Sequence, residues 1–244
     1  AVLPTAAADS LFDAEVEVAD RDRPARLEGF VAALDAVLVL LVGRSAAPED
    51  ARLADLREAA QRFVGSYRYL DPVEPGGSPR LWVRFDGAAL ERAVAERGVA
   101  TWGHDRPAVL VWIVVQEAGG RFLAADGVTT DRQNELVAAA QVRGLPVIAP
   151  LLDLEDRNTL APADITAGFH ERVLAASQRY APGAVLTIEL NAGAIGWDGR
   201  WSFYHGEERF DGREMAQGTG ELIALAVDHA ADLAGGREQR RGLA

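Results

Sequence analysis

The 244-residue sequence contains no cysteine and no lysine. The absence of cysteine excludes disulfide bonds and thiolate metal sites, but it leaves the compartment open, because exported proteins often lack cysteine too. All 25 basic residues are arginine. This indicates either codon bias in a GC-rich genome or a surface adapted to salt, since acidic, lysine-poor surfaces stay soluble under heavy screening.

Positive charge is scarce relative to negative charge, with a formal net charge of -12 and a pI near 4.8. A protein that binds nucleic acid without sequence specificity needs a basic face, so the charge argues against this class of protein. Anionic membrane surfaces are disfavoured for the same reason. The apolar runs at 37–42 and 107–116 are far shorter than the ~20 residues that a spanning helix needs, and we expect no membrane insertion.

Residues 1–8 (Ala-Val-Leu-Pro-Thr-Ala-Ala-Ala) lack an initiating Met and resemble the end of a signal peptide, with small residues placed as at an A-x-A cleavage site. The charged n-region and most of the apolar h-region of such a peptide are missing. A disordered, alanine-rich tail is therefore the alternative interpretation.

Hydrophobic periodicity in the first half predicts the order β-α-α-β-β-α. The predicted elements are a strand at 12–18, a helix at 27–41 ended by Gly43, a helix opened by Pro48, strands at 67–70 and 81–85, and a helix from Asp86 to Gly98. The first five elements resemble the order of POTRA-type domains in envelope proteins.

The second half is organised around residues 107–116, a β-branched apolar run that predicts a strand buried on both faces. Further predicted elements are a hairpin strand at 121–124, a helix from Thr130 or Asp131 to Gly144, a strand at 145–152, a helix that begins near Asp164 and stops before Pro182-Gly183, a strand at 186–190, a hairpin turn at Asp198-Gly199, a strand at 200–205 and a helix at 222–233. The order resembles the N-terminal domain of the periplasmic protein TolB and related envelope lipoproteins, whose sheets serve as docking modules.

The fold class predicted from these patterns is α/β (α+β), with two small domains that each have a mixed sheet covered by helices. We place the first domain at 9–103 and the second at 107–236. Residues 1–8 are the signal-peptide remnant or tail, and 237–244 form a solvated tail.

Several consecutive motifs resemble an uncharacterised bacterial family, domain of unknown function 2066. These motifs are 25–27, 33–34, 37–44, 81–86 (Leu-Trp-Val-Arg-Phe-Asp), 102–103, 106–112 (Arg-Pro-Ala-Val-Leu-Val-Trp), 143–146 and 151–156. Members of that family are exported proteins of Gram-negative bacteria without assigned chemistry, so the resemblance implies a periplasmic address. The family tends to continue beyond the end of this chain, which implies a further C-terminal portion.

Three acidic residues, Asp153, Glu155 and Asp156, follow a predicted strand end, a usual place for ligands in α/β sheets. Their oxygens could hold Ca²⁺ or Mg²⁺, which makes them weak candidates for a metal site. The alternative is a solvated loop in which one acid caps the next element. The nearby Arg157 and the absence of EF-hand spacing favour that alternative.

Catalytic and cofactor motifs are not recognisable. The four histidines are scattered, without a zinc-ligand spacing, and no nucleophile elbow or P-loop is present. They are His104, His170, His205 and His229. We therefore expect neither an enzyme nor a bound cofactor.

His104 lies in the segment between the domains, where a histidine can act as a pH-sensitive contact.

Four aromatic residues cluster on the predicted hairpin: Trp197, Trp201, Phe203 and Tyr204. Because aromatic residues stand on both faces of this strand, one hypothesis is a protein-docking surface, where Trp and Tyr supply much of the binding energy. The alternative is that helices cover both faces of the strand.

We expect from these patterns a non-catalytic periplasmic accessory or scaffold protein that docks onto an envelope protein. The alternative is a small-molecule or divalent-metal binding protein that uses an interdomain cleft, with Asp153, Glu155 and Asp156 at its lip. A hydrolase ranks third.

Overall fold

The computed structural model describes residues 11–74, 76–103, 106–124 and 130–241. The signal-peptide remnant at 1–8, His104 and the last three residues of the proposed tail lie outside the described residues. The chain divides into two compact units, one of residues 11–103 with 235–241 and the other of residues 106–234. Both units combine helices with a sheet, which confirms the predicted α/β (α+β) class.

The first unit has the predicted order β-α-α-β-β-α. Its elements are β1 (Asp13–Glu17), α1 (Arg23–Val42), α2 (Ala54–Glu58), β2 (Val64–Leu70), β3 (Arg80–Phe85) and α3 (Gly87–Glu96). The three strands form an antiparallel sheet in the order β1-β3-β2.

Helix α1 supplies much of the first core. It starts at Asp22, whose side chain accepts a hydrogen bond from the Ala25 N–H at 2.8 Å, and ends at Gly43, where φ is 73°. Leu34, Val37 and Leu38 on its inner face are fully buried.

The helix predicted from Pro48 is largely wrong. The chain there makes separate 3₁₀ turns at Ala47–Glu49 and Ala51–Leu53 before the short α2. The break lies at Asp50, whose backbone is extended and whose carboxylate accepts the Arg52 N–H at 3.1 Å. Aspartate disrupts helices in this way because its side chain competes for backbone donors.

The second unit contains six strands and five helices within the described residues. They are β4 (Val109–Glu117), β5 (Gly120–Leu123), α4 (Thr130–Arg143), β6 (Val147–Ile148), α5 (Leu154–Thr159), α6 (Pro162–Thr166), α7 (His170–Ser177), β7 (Ala184–Gly193), β8 (Gly196–His205), β9 (Glu208–Ala216) and α8 (Thr219–Arg241).

The sheet of the second unit is mixed, with the order β5-β4-β7-β8-β9 and with β6 beside β4. Strand β4 is parallel to β6 and β7, and the other pairs are antiparallel. The first seven residues of β4 are buried, as predicted for the central strand. The predicted hairpin of β4 and β5 is also confirmed, but its turn is Ala118-Gly119, since Gly120 already pairs with Glu117.

The hairpin turn predicted at Asp198-Gly199 is wrong. Both residues lie inside β8, opposite Asn191 and Leu190 of β7, and the turn is Ala194-Ile195. Gly196 follows this turn with φ 100°, a conformation that glycine adopts at little cost. Gly199 has a different role, since a Cβ there would lie 2.9 Å from the Leu222 Cδ2 of α8.

Four further differences concern the extent, the division or the presence of elements. The strand expected at 145–152, which contains two prolines, pairs only at Val147–Ile148. The helix expected from Asp164 is divided into α6 and α7 by Gly168, where φ is 74°. Strand β9 was not predicted, and α8 continues to Arg241 through much of the expected tail.

One face of the large sheet is covered by α8. The Trp201 ring stacks on His229 of α8 with centroids 5.0 Å apart, and Phe203 is fully buried. Helix α4 is tied to α8 through the buried Arg143, which pairs with Asp228 and Asp232. These contacts fix the helical layer on this face.

Gly212 of β9 provides a test of this packing. A Cβ there would lie 2.3 Å from ring carbons of Trp201. We expect Gly212→Ala to lower the free energy of unfolding by about 1–3 kcal/mol, because the ring must shift in a packed layer. The measurement is the urea midpoint. The control is Gly119→Ala, whose new methyl group would enter open space; equal midpoints for the two variants would contradict the packing.

Candidate functional site

The four aromatic residues predicted to dock a partner are distributed between the two faces of the large sheet. Trp201 and Phe203 lie under α8, and Tyr204 belongs to the buried cluster beneath α5 to α7. Trp197 is partly buried, with the Arg132 guanidinium 5.8 Å from its ring centroid. This packing favours the alternative interpretation, in which helices cover both faces at these rings.

The predicted acidic loop is occupied by an arginine of the same unit. Arg179 binds both carboxylate oxygens of Asp153, at 2.8 and 2.9 Å, and contacts Asp156 at 3.0 Å and Glu155 at 3.5 Å. Arg157, the residue expected from the sequence to disfavour a bound cation, donates instead to the Leu152 carbonyl. A cation would have to displace Arg179, so the three acids form a closed ion-pair network.

Asp156 is the buried centre of this network. Its carboxylate accepts hydrogen bonds from the Leu152 N–H at 2.8 Å and from the Tyr180 hydroxyl at 2.5 Å. Burial and this bond raise the pKa of Tyr180 to about 12. The bond to Leu152 holds a backbone with φ 50°, unusual for leucine, and so the network shapes the loop.

The opposite face of the large sheet is covered along only part of its length. Trp112 of β4 donates to Ser177 Oγ of α7 at 2.9 Å, and α5 to α7 bury Val185 at the start of β7. Further along β7, two adjoining cavities of about 500 and 440 Å³ lie on the sheet. They share Thr166, Ala167, Glu189 and Arg200, and we call them together the sheet cleft.

The sheet cleft is lined by charged side chains from four strands, most of which have partners. Arg213 donates to Asp198 at 2.6 Å, and Arg209 donates to Asp211 at 2.8 Å. Arg121 of β5 donates to Gln116 and, at 2.8 Å, to Thr166 Oγ1. This last bond connects α6 to the sheet edge and forms one wall of the smaller cavity.

Glu189 and Arg200 are exceptions among the cleft's charged residues. They are opposite each other on β7 and β8, yet within the described part of the chain neither side chain makes a hydrogen bond or an ion pair. Glu189 is partly buried and Arg200 is exposed. Burial raises the pKa of the Glu189 carboxyl, although Arg200 and Arg121 lower it. The cleft therefore presents one acceptor and one donor group without partners.

A hydrogen-bonded chain closes the other end of the cleft. His170 of α7 lies 2.9 Å from the Tyr204 hydroxyl through Nδ1, and Arg209 donates to Nε2. Arginine only donates, so Nε2 is the acceptor and Nδ1 carries the proton. Burial, followed by the charge of Arg209, lowers the pKa of His170. Burial also raises the pKa of Tyr204.

Two residues of the larger cavity, Trp201 and Tyr204, belong to the predicted aromatic cluster, whereas Glu189 and Arg200 were not predicted as site residues. The available signal was the alternation of Leu186, Ile188 and Leu190 with Thr187, Glu189 and Asn191, which indicates a strand with one polar face. The pattern identifies the face but does not show that helices leave part of it open. For the part of the chain described here, no group of three or more His, Asp or Glu has a metal-binding arrangement, and no helix could span a membrane.

Residues 6–103 match the model of a domain of unknown function, DUF8605. A match to an uncharacterised family agrees with the expectation from the motifs, but its number differs from domain of unknown function 2066. No curated protein matches the chain.

Three solved structures share limited similarity with the chain. The C-terminal domain of LpoB from Salmonella enterica has 16% identity over 46% of this chain and 82% of its own, with a TM-score of 0.32. A competence-damaged protein (CinA) superfamily protein from Escherichia coli has 14% identity, coverages of 64% and 87%, and a TM-score of 0.30. Lipoprotein GNA1162 from Neisseria meningitidis has 18% identity, coverages of 51% and 96%, and a TM-score of 0.29. At these scores we draw no functional argument from them, and the resemblance to the TolB domain stays a prediction.

The acidic loop predicts a pH-dependent effect of one substitution. Bonds from Arg179 and from the Asp156 N–H hold the pKa of Asp153 well below its usual range. A carboxyl group whose pKa is lower in the folded chain than in the unfolded chain stabilises the fold at pH values above its unfolded-state pKa, about 3.9. This contribution is lost as the pH falls toward the folded-state pKa. Asp153→Asn keeps a helix-capping side chain but removes the charge.

We therefore expect Asp153→Asn to lower the urea midpoint at pH 7 and to approach the wild-type midpoint below about pH 4. Glu171→Gln is the control, since Glu171 is exposed and makes no ion pair with any described residue. A deficit of Asp153→Asn that is the same at pH 7 and pH 3 would contradict the role of the charge.

The His170 contacts predict the direction of a second titration. We expect Arg209→Gln to raise the pKa of His170, because it removes a neighbouring positive charge, while burial still holds the value below 6.5. NMR titration of the imidazole ring protons measures this. Arg172→Gln is the control, because Arg172 lies on α7 like His170 but pairs with Asp164 of α6. An unchanged His170 pKa in Arg209→Gln would show that the two side chains do not interact.

Proposed function

We propose that this is a non-catalytic binding protein whose second unit holds a small polar ligand in the sheet cleft. The observation that carries the proposal is the adjoining pair of cavities of about 500 and 440 Å³ on a sheet face that helices leave open. Ligand pockets have volumes in this range and place a few polar groups on a rigid scaffold. The ligand-binding alternative from the sequence placed the ligand in an interdomain cleft with Asp153, Glu155 and Asp156 at its lip; the present proposal keeps the ligand-binding role but places the site inside the second unit.

The polar contacts of the cleft support binding rather than catalysis. Ser202 donates to Asp211 at 2.6 Å, and Arg209 neutralises that carboxylate. Arg209 contacts His170 Nε2, and the Ser202 hydroxyl donates to Asp211 rather than to His170. The serine, histidine and aspartate near one another thus lack the relation of nucleophile to general base.

A second candidate function keeps the expected accessory role in the envelope, through docking to a partner protein. Strand β9 is the edge of the large sheet, and the exposed Met215 lies on it. An extended segment of an envelope protein would pair with this edge by adding a strand. Docking ranks second because Arg209, Asp211 and Arg213 place charges along β9, and charges usually protect an edge strand from such pairing. A periplasmic address would suit either function and is part of the proposal.

Filling the cleft tests the first candidate. Ala167, at the end of α6, is exposed and lines both cavities, so Ala167→Trp should occupy the space without disturbing the core. The full chain is purified gently from its native host, and native mass spectrometry records any small molecule bound to it. We expect a bound molecule on the wild type and its loss from Ala167→Trp, with an unchanged melting temperature.

Ala194→Trp is the matched control, because Ala194 is exposed in the β7–β8 turn and lines neither cavity. It should retain the molecule. A molecule that remains on Ala167→Trp, or a wild type that carries none, would contradict binding in the cleft.

A further inference from the structure

The sheet cleft contains two opposite charges that are adjacent but not paired. Glu189 and Arg200 are register partners on β7 and β8, and residues directly opposite on antiparallel strands have Cβ atoms about 4.5–5.5 Å apart. Opposite charges at such facing positions stabilise a sheet when they interact. Here no hydrogen bond or ion pair joins them, within the described residues, and both line each of the two cavities.

Each of the two groups favours a ligand group of opposite charge. The Glu189 carboxylate is partly buried and accepts no hydrogen bond from a described residue, so an ammonium group placed beside it would form a charge-assisted hydrogen bond. An exposed guanidinium has donors in a planar fork that matches a carboxylate. The other arginines of the cleft already have acceptors, so Arg200 is the available donor toward the Glu189 side.

The neighbouring groups limit the ligand's size and charge. Thr166 and Ala167 of α6 stand over both cavities, and Asn191 adds an amide beside Glu189 in the smaller one. A ligand with net negative charge would meet Glu189 and Asp198, and one with net positive charge would meet Arg200 and Arg213. A molecule that carries one charge of each sign avoids both costs.

Building on the proposed function, we infer that the ligand of the sheet cleft is a small zwitterion of the amino-acid type, with its ammonium group on Glu189 and its carboxylate on Arg200. The unpaired cross-strand charges within one cavity wall carry this assignment. It names the ligand class of the proposed site and the two residues that select it.

The test is NMR titration of the ¹⁵N-labelled full chain with each of the twenty free amino acids. For the tightest binder, two half-analogues are titrated, one without the carboxylate and one without the ammonium group; for alanine they are ethylamine and propionate. We expect each half-analogue to bind at least about tenfold more weakly, since charge-assisted hydrogen bonds contribute at this level.

Two variants separate the roles of the charges. Glu189→Gln should weaken the amino acid about tenfold or more while leaving the half-analogue without the ammonium group within about twofold. Arg200→Gln should likewise weaken the amino acid about tenfold or more while leaving the half-analogue without the carboxylate within about twofold. Glu207→Gln and Arg62→Gln, at exposed positions outside the cleft, should change neither affinity.

The outcomes also distinguish this inference from the proposed function. If the acid half-analogue binds as tightly as the amino acid and Glu189→Gln has no effect, the site selects simple anions and the zwitterion is overturned. If no amino acid binds while a co-purified molecule is lost from Ala167→Trp, the ligand class is wrong but the cleft still binds. If Ala167→Trp retains that molecule, the proposed function itself fails.

Discussion

Strands β7 and β8 are longer than the helices that cover one of their faces. Ten residues of strand span about 33 Å, whereas the eight residues of α7 span about 12 Å, and α5 and α6 are shorter still. The helical layer therefore buries the start of β7, and near Glu189 it is reduced to the end of α6, where Thr166 and Ala167 line the cleft. On the opposite face, α8 packs on the sheet at Trp201, and Phe203 is fully buried. A polar cleft follows from this difference in length.

The same constraint explains which side chains remain available. Where helices reach the sheet, polar groups are used internally, as in the bond from Trp112 to Ser177 and the closed network of Arg179 with Asp153 and Asp156. Beyond the helices, buried packing no longer dictates the residue types, and charged side chains face the solvent. Most of them pair with one another, and Glu189 and Arg200 remain for a ligand.

Much of the fold was predictable because strong periodicity reports burial. The central strand β4, helix α1 and the apolar stripe of α8 have patterns that few other structures would produce. The turn preference of the Asp-Gly pair gave a wrong prediction at Asp198-Gly199, because Gly199 lies within β8 and leaves room for the side chain of Leu222. The candidate site was beyond prediction for another reason. An aromatic cluster or an acidic run stands out in a sequence, but Arg179 closes the acidic loop, and Trp201 and Phe203 pack under α8. Only the tertiary structure shows that the partly buried Glu189 lines an open cleft beside Arg200.

A crystal structure of the gently purified protein, grown with the tightest-binding amino acid, tests the central claim most directly. The account predicts electron density between Glu189 and Arg200, with an ammonium group near the carboxylate and a carboxylate on the guanidinium. A direct ion pair between Glu189 and Arg200, with only water in the cleft, would contradict it.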